Sequence, residues 1–233
     1  MFKCCSGCSL LCVALLLCLG SGVFGTIDPG NLKKVIDYIR KYGTKRQYAV
    51  AVRLDLQSCQ NPTDENLEAA LPTVTMQAMR QAIGQENGLY APNQLGNIVA
   101  ARPIMDHPRQ HAEFRLLTGG QNSYVSRLLE NRVLGSCLVF FSKLSPCVGR
   151  CLNQNDARNI VQWLNPLFAR INQNAKAFVF ELVYRLDAAE DARIMVNAWQ
   201  SIQNAPLFRW YWRDQVCVKC FDNNNRVDQR CLE

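Results

Sequence analysis

The sequence lacks several features that would assign it at once to a common class of protein. Its longest apolar run, residues 10–19, is about half of the ~20 residues that a membrane-spanning helix needs, which argues against stable membrane insertion. No internal repeat is visible. The one Asn-x-Thr triplet, at Asn61, has proline in the middle, so no N-glycosylation is expected. Histidine is scarce, since His107 and His111 are the only two.

Length and composition narrow the class further. A chain of 233 residues favours a single compact domain with additions. A hydrophobic fraction of 48% with 19% charged residues excludes a disordered chain. The net charge of +7 favours acidic partners such as nucleic acid or an anionic membrane surface, but it specifies no reaction.

Cysteine is abundant, and five of the cysteines lie in an N-terminal segment that indicates where the protein is exported. Lys3, the apolar run and the small residues up to Gly25 are typical of a secretory signal peptide, so we expect residues 1–25 to be cleaved and the protein to be secreted and extracellular. A permanent N-terminal anchor is the alternative, and the short run disfavours it. This segment contains five of the 12 cysteines. An odd number, seven, remains in residues 26–233, so one stays free or some have another task.

The rest of the chain alternates helical and strand patterns and is expected to form a single domain. Short apolar runs predict five buried strands, at residues 48–54, 97–104, 137–142, 177–184 and 208–213. Strands alternating with helices predict a three-layer α/β/α architecture with a five-stranded mixed sheet. Residues 57–96 are an insertion between the first two strands, and residues 214–233 are a cysteine-rich tail.

Helices are expected on either side of these strands. Leu32, Val35, Ile36 and Ile39 form one apolar helix face. Further helices are predicted at 75–86 and 111–117 and along the apolar face from residue 160 to residue 171. Another is expected to begin near Pro146, because proline suits a first helical turn, and a capping box of Asp187 and Glu190 should open the last one.

Two short motifs carry the chemistry, the triplet His-Ala-Glu at 111–113 and the run Ser-Pro-Cys-Val-Gly-Arg-Cys at 145–151. An imidazole and two thiolates suit zinc and leave a fourth position for water. The predicted ligands are His111, Cys147 and Cys151. Glu113 is placed to exchange protons with that water and is the predicted acid/base. Two converging helix N-termini would stabilise the thiolate and hydroxide charges.

His-x-Glu followed by Pro-Cys and a second nearby cysteine resembles the signature of the zinc-dependent nucleobase deaminases. Ser145-Pro146-Cys147 is most similar to the AID/APOBEC-like branch, and the predicted signal peptide points to its secreted novel members. The resemblance covers most of residues 31–213 by element order. It implies a cytidine-deaminase-like fold, Zn²⁺ as cofactor and hydrolysis of cytosine to uracil, with Glu113 moving protons while hydroxide attacks C4. A role in immune defence against foreign genomes is also implied.

The resemblance also implies where a substrate would lie. Loops 42–47 and 103–110 are expected at the zinc end of the sheet. The predicted substrate-binding residues are Lys45, Arg46, Arg109, Ser145 and Pro146. A solvated basic face is the alternative interpretation of the three cations. Relatives that act on polynucleotides carry aromatic residues where this chain has Leu144 and residues 185–190, so the expected partner is single-stranded DNA or RNA, or free cytidine nucleoside.

With Cys147 and Cys151 assigned to zinc, five cysteines remain. Cys137 begins a buried strand and is expected to be an inert thiol. The disulfide candidates are then Cys59, Cys217, Cys220 and Cys231, in any of three pairings. Two alternatives stay open: Cys147 and Cys151 bond to each other, or the Cys-x-x-Cys pair at 217–220 binds zinc, for which a second ligand pair is lacking.

Two functions from different classes remain. The first is a secreted cytidine deaminase that acts on single-stranded nucleic acid. The second is a catalytically silent secreted protein that binds nucleic acid or another partner and retains zinc for structure alone. Glu113 favours the first, because a structural zinc site has no use for that carboxylate. His107 is expected to be a solvated loop residue.

Overall fold

The computed structural model describes residues 26–92, 96–130 and 134–233, so the predicted signal peptide lies outside the described residues. The helices in these ranges are α1 Pro29–Lys41, α2 Leu56–Gln60, α3 Asp64–Ala70, α4 Thr73–Gly84, α5 Ala112–Leu117, α6 Tyr124–Leu129, α7 Val161–Ala169 and α8 Ala192–Trp199. The strands are β1 Ala49–Asp55, β2 Leu89–Tyr90, β3 Ile98–Ala101, β4 Ser136–Leu144, β5 Lys176–Leu182, β6 Leu207–Tyr211 and β7 Val216–Lys219. None of these helices combines the length and apolar character needed to cross a bilayer.

The strands form one mixed sheet in the order β2-β3-β1-β4-β5-β6-β7. The prediction of five strands is wrong, because the described residues form seven. The five predicted strands are the central ones, and the sheet gains a strand at each edge. β2 has two residues, and β7 is the return strand of a hairpin with β6. Segments this short have too little apolar periodicity to be recognised before their partner strand is known.

Strand direction brings the chemical motifs to one edge of the sheet. β1 runs antiparallel to β3 and β4, whereas β4, β5 and β6 are parallel. Ala49, the first residue of β1, is paired with Ala101 of β3 and Ser142 of β4. The start of β1 therefore lies beside the carboxyl ends of β3, β4 and β5. We call this row of strand ends the site edge of the sheet, as distinct from its two outermost strands.

The central strands are covered on both faces. Consecutive residues are buried along most of β1, β4 and β5, and neighbouring strand residues point to opposite faces. The predicted apolar face of α1 is fully buried. Near its end, the Arg40 guanidinium stacks on Trp210 at 3.3 Å from the ring centroid and pairs with Glu181 at 2.8 Å. These contacts hold the start of the α1–β1 connection close to the site edge.

The helix expected near Pro146 is absent from the described residues, which is a correction to the prediction. Residues 148–151 form a tight turn, and the next helix is α7. The following polar side chains bond to nearby backbone instead, since Asn153 accepts from the Asn155 amide and Asp156 from the Arg158 amide. Such local bonds compete with helix formation. We call residues 147–151 the cysteine turn.

The capping box predicted at Asp187 is also wrong. α8 begins at Ala192, and its N-cap is Asp191, whose carboxylate accepts from the Arg193 amide. Asp187 instead begins a short 3₁₀ turn and is buried. Its carboxylate accepts a hydrogen bond from the Val148 amide, so it is not available as a cap.

The disulfides agree with the expectation for Cys59, Cys220 and Cys231 but not for Cys217 and Cys137. Cys59 is bonded to Cys137, and Cys220 to Cys231. Cys137 is therefore not an inert thiol. Cys217 is the free, buried thiol among the five cysteines not assigned to zinc. The bond between Cys59 and Cys137 follows from the fold. The last residue pair between β1 and β4 places Asp55 opposite Ser136, and α2 starts at the residue after Asp55. Cys59 thus lies within one helical turn of the start of β4.

Candidate metal centre

The three predicted metal ligands come from two elements that meet at the site edge. His111 is the N-cap residue of α5 in extended backbone conformation. Cys147 and Cys151 belong to the cysteine turn, which follows β4 directly. One helix N-terminus, that of α5, therefore lies at the site. The second converging helix N-terminus expected from the sequence is replaced by the turn.

The donor atoms of His111, Cys147 and Cys151 lie within 4.8 Å of one another. His111 Nδ1 is 3.0 Å from the Cys151 sulfur and 3.5 Å from the Cys147 sulfur. Zinc with tetrahedral bonds of ~2.3 Å to sulfur and ~2.0 Å to nitrogen separates its ligands by roughly 3.5–3.8 Å. The cluster thus fits zinc and leaves a fourth direction open. The two cysteines are not bonded to each other, against the disulfide alternative.

The electrostatics of the turn favour a thiolate. Hydrogen bonding from Cys151, assisted by the charge of His111 and opposed by burial, lowers the pKa of Cys147 to about 4. The Cys151 backbone amide donates to the same sulfur at 3.4 Å. The pKa of Cys151 is raised by its side-chain hydrogen bond to Cys147 and by burial. Hydrogen bonding to Cys147 raises the pKa of His111.

Glu113 lies inside the protein next to the cluster, with 2% of its surface exposed. Its Oε1 accepts hydrogen bonds from Gln47 Nε2 at 3.1 Å and from the Ser142 hydroxyl. Burial raises the pKa of the Glu113 carboxyl, so the environment favours its protonated form more than water does. Gln47 and Ser142 were missed by sequence reasoning. Ser142 had a signal, because it is the one polar residue in the apolar run 137–142.

A cavity of about 170 Å³ opens beside the cluster. Its lining residues are Gln47, Pro103, Met105, His111, Glu113, Leu144, Ser145, Cys147 and Tyr184. A small molecule in this cavity would lie against the metal cluster and Glu113. Tyr184 is a further site residue that sequence reasoning missed.

The predicted substrate-binding residues separate into two groups. Ser145 lines the cavity, and its hydroxyl accepts from the Tyr184 amide at 2.9 Å. Pro146 is buried next to it and is not among the residues that line the cavity. The cations are exposed on two neighbouring loops: Lys45 and Arg46 precede Gln47, and Arg109 precedes His111 with its Nε bonded to the Met105 carbonyl. His107 is exposed, as expected.

A histidine and two cysteines around one point, a buried glutamate beside them and a mixed α/β sheet are together typical of the zinc deaminases of nucleobases. The model of the family named secreted novel AID/APOBEC-like deaminase 1 matches residues 29–233, so the chain belongs to that family. The resemblance seen in the sequence is thereby confirmed. Neither a curated protein nor a solved structure matches the chain.

Proposed function

We propose that this protein is a zinc-dependent cytidine or deoxycytidine deaminase that hydrolyses cytosine to uracil. One observation carries the proposal: the Glu113 carboxylate is buried at the wall of a cavity that also exposes His111 and Cys147. A zinc site that served structure alone would need neither the carboxylate nor the cavity. Cys151 completes the proposed ligand set.

The chain's own residues supply binding and proton transfer. Zinc, when bound, would act as a Lewis acid that makes water a usable nucleophile at neutral pH. Tyr184 and Leu144 line the cavity and would pack against a bound base. Gln47 and Ser142 hold Oε1 of Glu113, so Oε2 is the oxygen that takes the proton from water. Glu113 delivers this proton to the ring nitrogen as the oxygen adds to C4. It then moves the second proton of that oxygen to the amino group, which leaves as ammonia when the C4–N bond breaks.

The proposed substrate is cytosine in single-stranded DNA or RNA. The cavity takes one base, and the neighbouring loops carry Lys45, Arg46 and Arg109, whose charges would attract backbone phosphates. Free cytidine nucleoside is the competing substrate, because Leu144 occupies a position where relatives that act on polynucleotides carry an aromatic residue.

We further propose that the protein acts outside the cell, in defence against foreign nucleic acid. The family name includes the word secreted. The two disulfides fit an oxidising compartment.

The test combines metal analysis with a cytosine-to-uracil assay on single-stranded DNA, single-stranded RNA and free cytidine. The expected result is one zinc per chain and product formation on at least one substrate, abolished in Glu113→Ala. Zinc-loaded, folded protein that converts none of the three substrates would contradict catalysis and support the catalytically silent binding protein instead.

A further inference from the structure

Asp187 is a buried carboxylate that the proposed reaction does not use. It is 6% exposed, whereas Leu186, Ala188 and Ala189 around it are exposed. It belongs to the connection between β5 and α8, residues 183–191, which we call the β5–α8 loop. Asp187 is thus turned inward from an exposed segment, although burial of a carboxylate is costly unless a donor compensates it.

The donor comes from the cysteine turn. The Val148 backbone amide donates to Asp187 Oδ2 at 2.9 Å, across 39 residues of sequence. Val148 directly follows the ligand Cys147. Burial raises the pKa of Asp187 to about 6, with the Val148 hydrogen bond acting against this rise. The carboxylate is therefore largely ionised at neutral pH and is a strong acceptor for the amide.

The cysteine turn lacks the regular backbone hydrogen bonds of a helix. In a helix, regular backbone bonds would fix the relative positions of two cysteines four residues apart, but residues 148–151 form only a turn. The Leu152 amide bonds to the Cys147 carbonyl at 3.0 Å, and the Ile160 amide to the Cys151 carbonyl at 2.8 Å. Both bonds involve segments that follow the turn. The hydrogen bond from the Val148 amide to Asp187 ties the start of the turn to a distant part of the chain.

The β5–α8 loop contacts the chain on both sides of Cys147. Asp187 accepts from Val148, and the Tyr184 amide donates to the Ser145 hydroxyl at 2.9 Å. Cys147 is thereby positioned between two hydrogen bonds to the same loop. Tyr184 also lines the cavity, so a single loop contributes to both the substrate wall and the support of the metal ligand.

We propose that Asp187 is a positioning residue for the metal centre, which holds Cys147 in ligand geometry by accepting the Val148 amide hydrogen bond. This inference rests on the metal site of the proposed function but not on turnover. Partners that orient metal ligands typically contribute 10–100-fold to metal affinity. Loss of the Asp187 carboxylate should therefore weaken zinc binding by about that factor.

The test is the zinc dissociation constant of the purified, disulfide-intact chain, measured by competition with a chromophoric chelator in the absence of substrate. Asp187→Ala is expected to bind zinc about 10–100-fold more weakly than the unchanged protein. Asp187→Asn keeps an acceptor oxygen and should restore affinity to within about threefold. Glu190→Ala removes the same charge from an exposed position in the same loop and should leave the affinity unchanged.

Three results would overturn the proposal: unchanged affinity in Asp187→Ala, equal weakening in Asp187→Asn, or equal weakening in Glu190→Ala. If the alanine variant does not fold, Asp187→Glu tests the positioning role instead. Its longer side chain should displace the turn, weaken zinc binding and alter the absorption spectrum of the Co²⁺-loaded protein, and an unaltered spectrum with full affinity would refute the role. Because no substrate is present, failure of deamination leaves this result intact.

Discussion

Replacement of Glu113 by glutamine should separate turnover from folding and metal binding. The amide keeps one oxygen, which can still accept from Gln47 and Ser142, so the local hydrogen bonds survive. The substitution also removes a buried carboxyl group, which is costly to ionise in this position. We therefore expect the free energy of unfolding of Glu113→Gln to stay within about 1 kcal/mol of the original value or to increase.

Turnover should respond differently. Glutamine cannot take up or deliver a proton, and the loss of a positioned acid/base typically lowers the rate by about 10²–10⁴-fold, or roughly 3–5 kcal/mol in the activation barrier. The assay is uracil formation under single-turnover conditions, with zinc content and thermal unfolding measured on the same samples. Glu65→Gln, an exposed acid in α3, is the matched control and should keep full activity. If Glu113→Gln keeps its zinc and more than about a tenth of the original rate, the assignment of Glu113 is refuted.

Three further outcomes are expected. Zinc at 100 times its dissociation constant should stabilise the protein by about 2.7 kcal/mol and raise the melting temperature by roughly 5–10 °C, and a comparable rise in His111→Ala would contradict the ligand set. Cys217, which is 5% exposed and whose pKa burial raises to about 12, should resist alkylation until the protein unfolds; its recovery in a disulfide would contradict the fold. Charge reversal of both Lys45 and Arg46 should lower the salt dependence of binding to single-stranded DNA by about 1.4 in the log–log slope, whereas Arg170→Glu, an exposed site just beyond α7, should not. Equal slopes for the two charge-reversal variants would exclude a phosphate-binding role for loop 42–47.

The strands of the sheet show which elements could be predicted from local sequence pattern. Each of the five central strands overlaps an apolar run that was visible in the sequence, because a strand buried on both faces must be apolar along its length. β2 and β7 have two and four residues and pair only at the sheet edges. Their formation depends on neighbouring strands being in place, and such a condition leaves no periodic signal in short segments.

The disulfide pairing likewise could not be predicted from the sequence. The sequence predicted two disulfides among Cys59, Cys217, Cys220 and Cys231, and it assigned Cys137 as an inert thiol because that residue begins a buried strand. The bond from Cys59 to Cys137 spans 78 residues, and it forms because β1 and β4 are paired with their ends aligned. The sequence gives the number of cysteines. Which two cysteines can form a disulfide depends on the distance between their sulfur atoms in the folded protein.

The candidate metal ligands and the neighbouring glutamate could be proposed from the sequence because their chemistry depends on side-chain type and short spacing. A histidine two residues before a glutamate, and two cysteines four residues apart, can each be brought together by a single turn of the chain. The residues that support them, Gln47, Ser142 and Asp187, belong to segments tens of residues away. Tertiary structure alone brought these polar groups to the site, because a long-range hydrogen bond requires a direction and a distance that the order of residues along the chain does not encode locally.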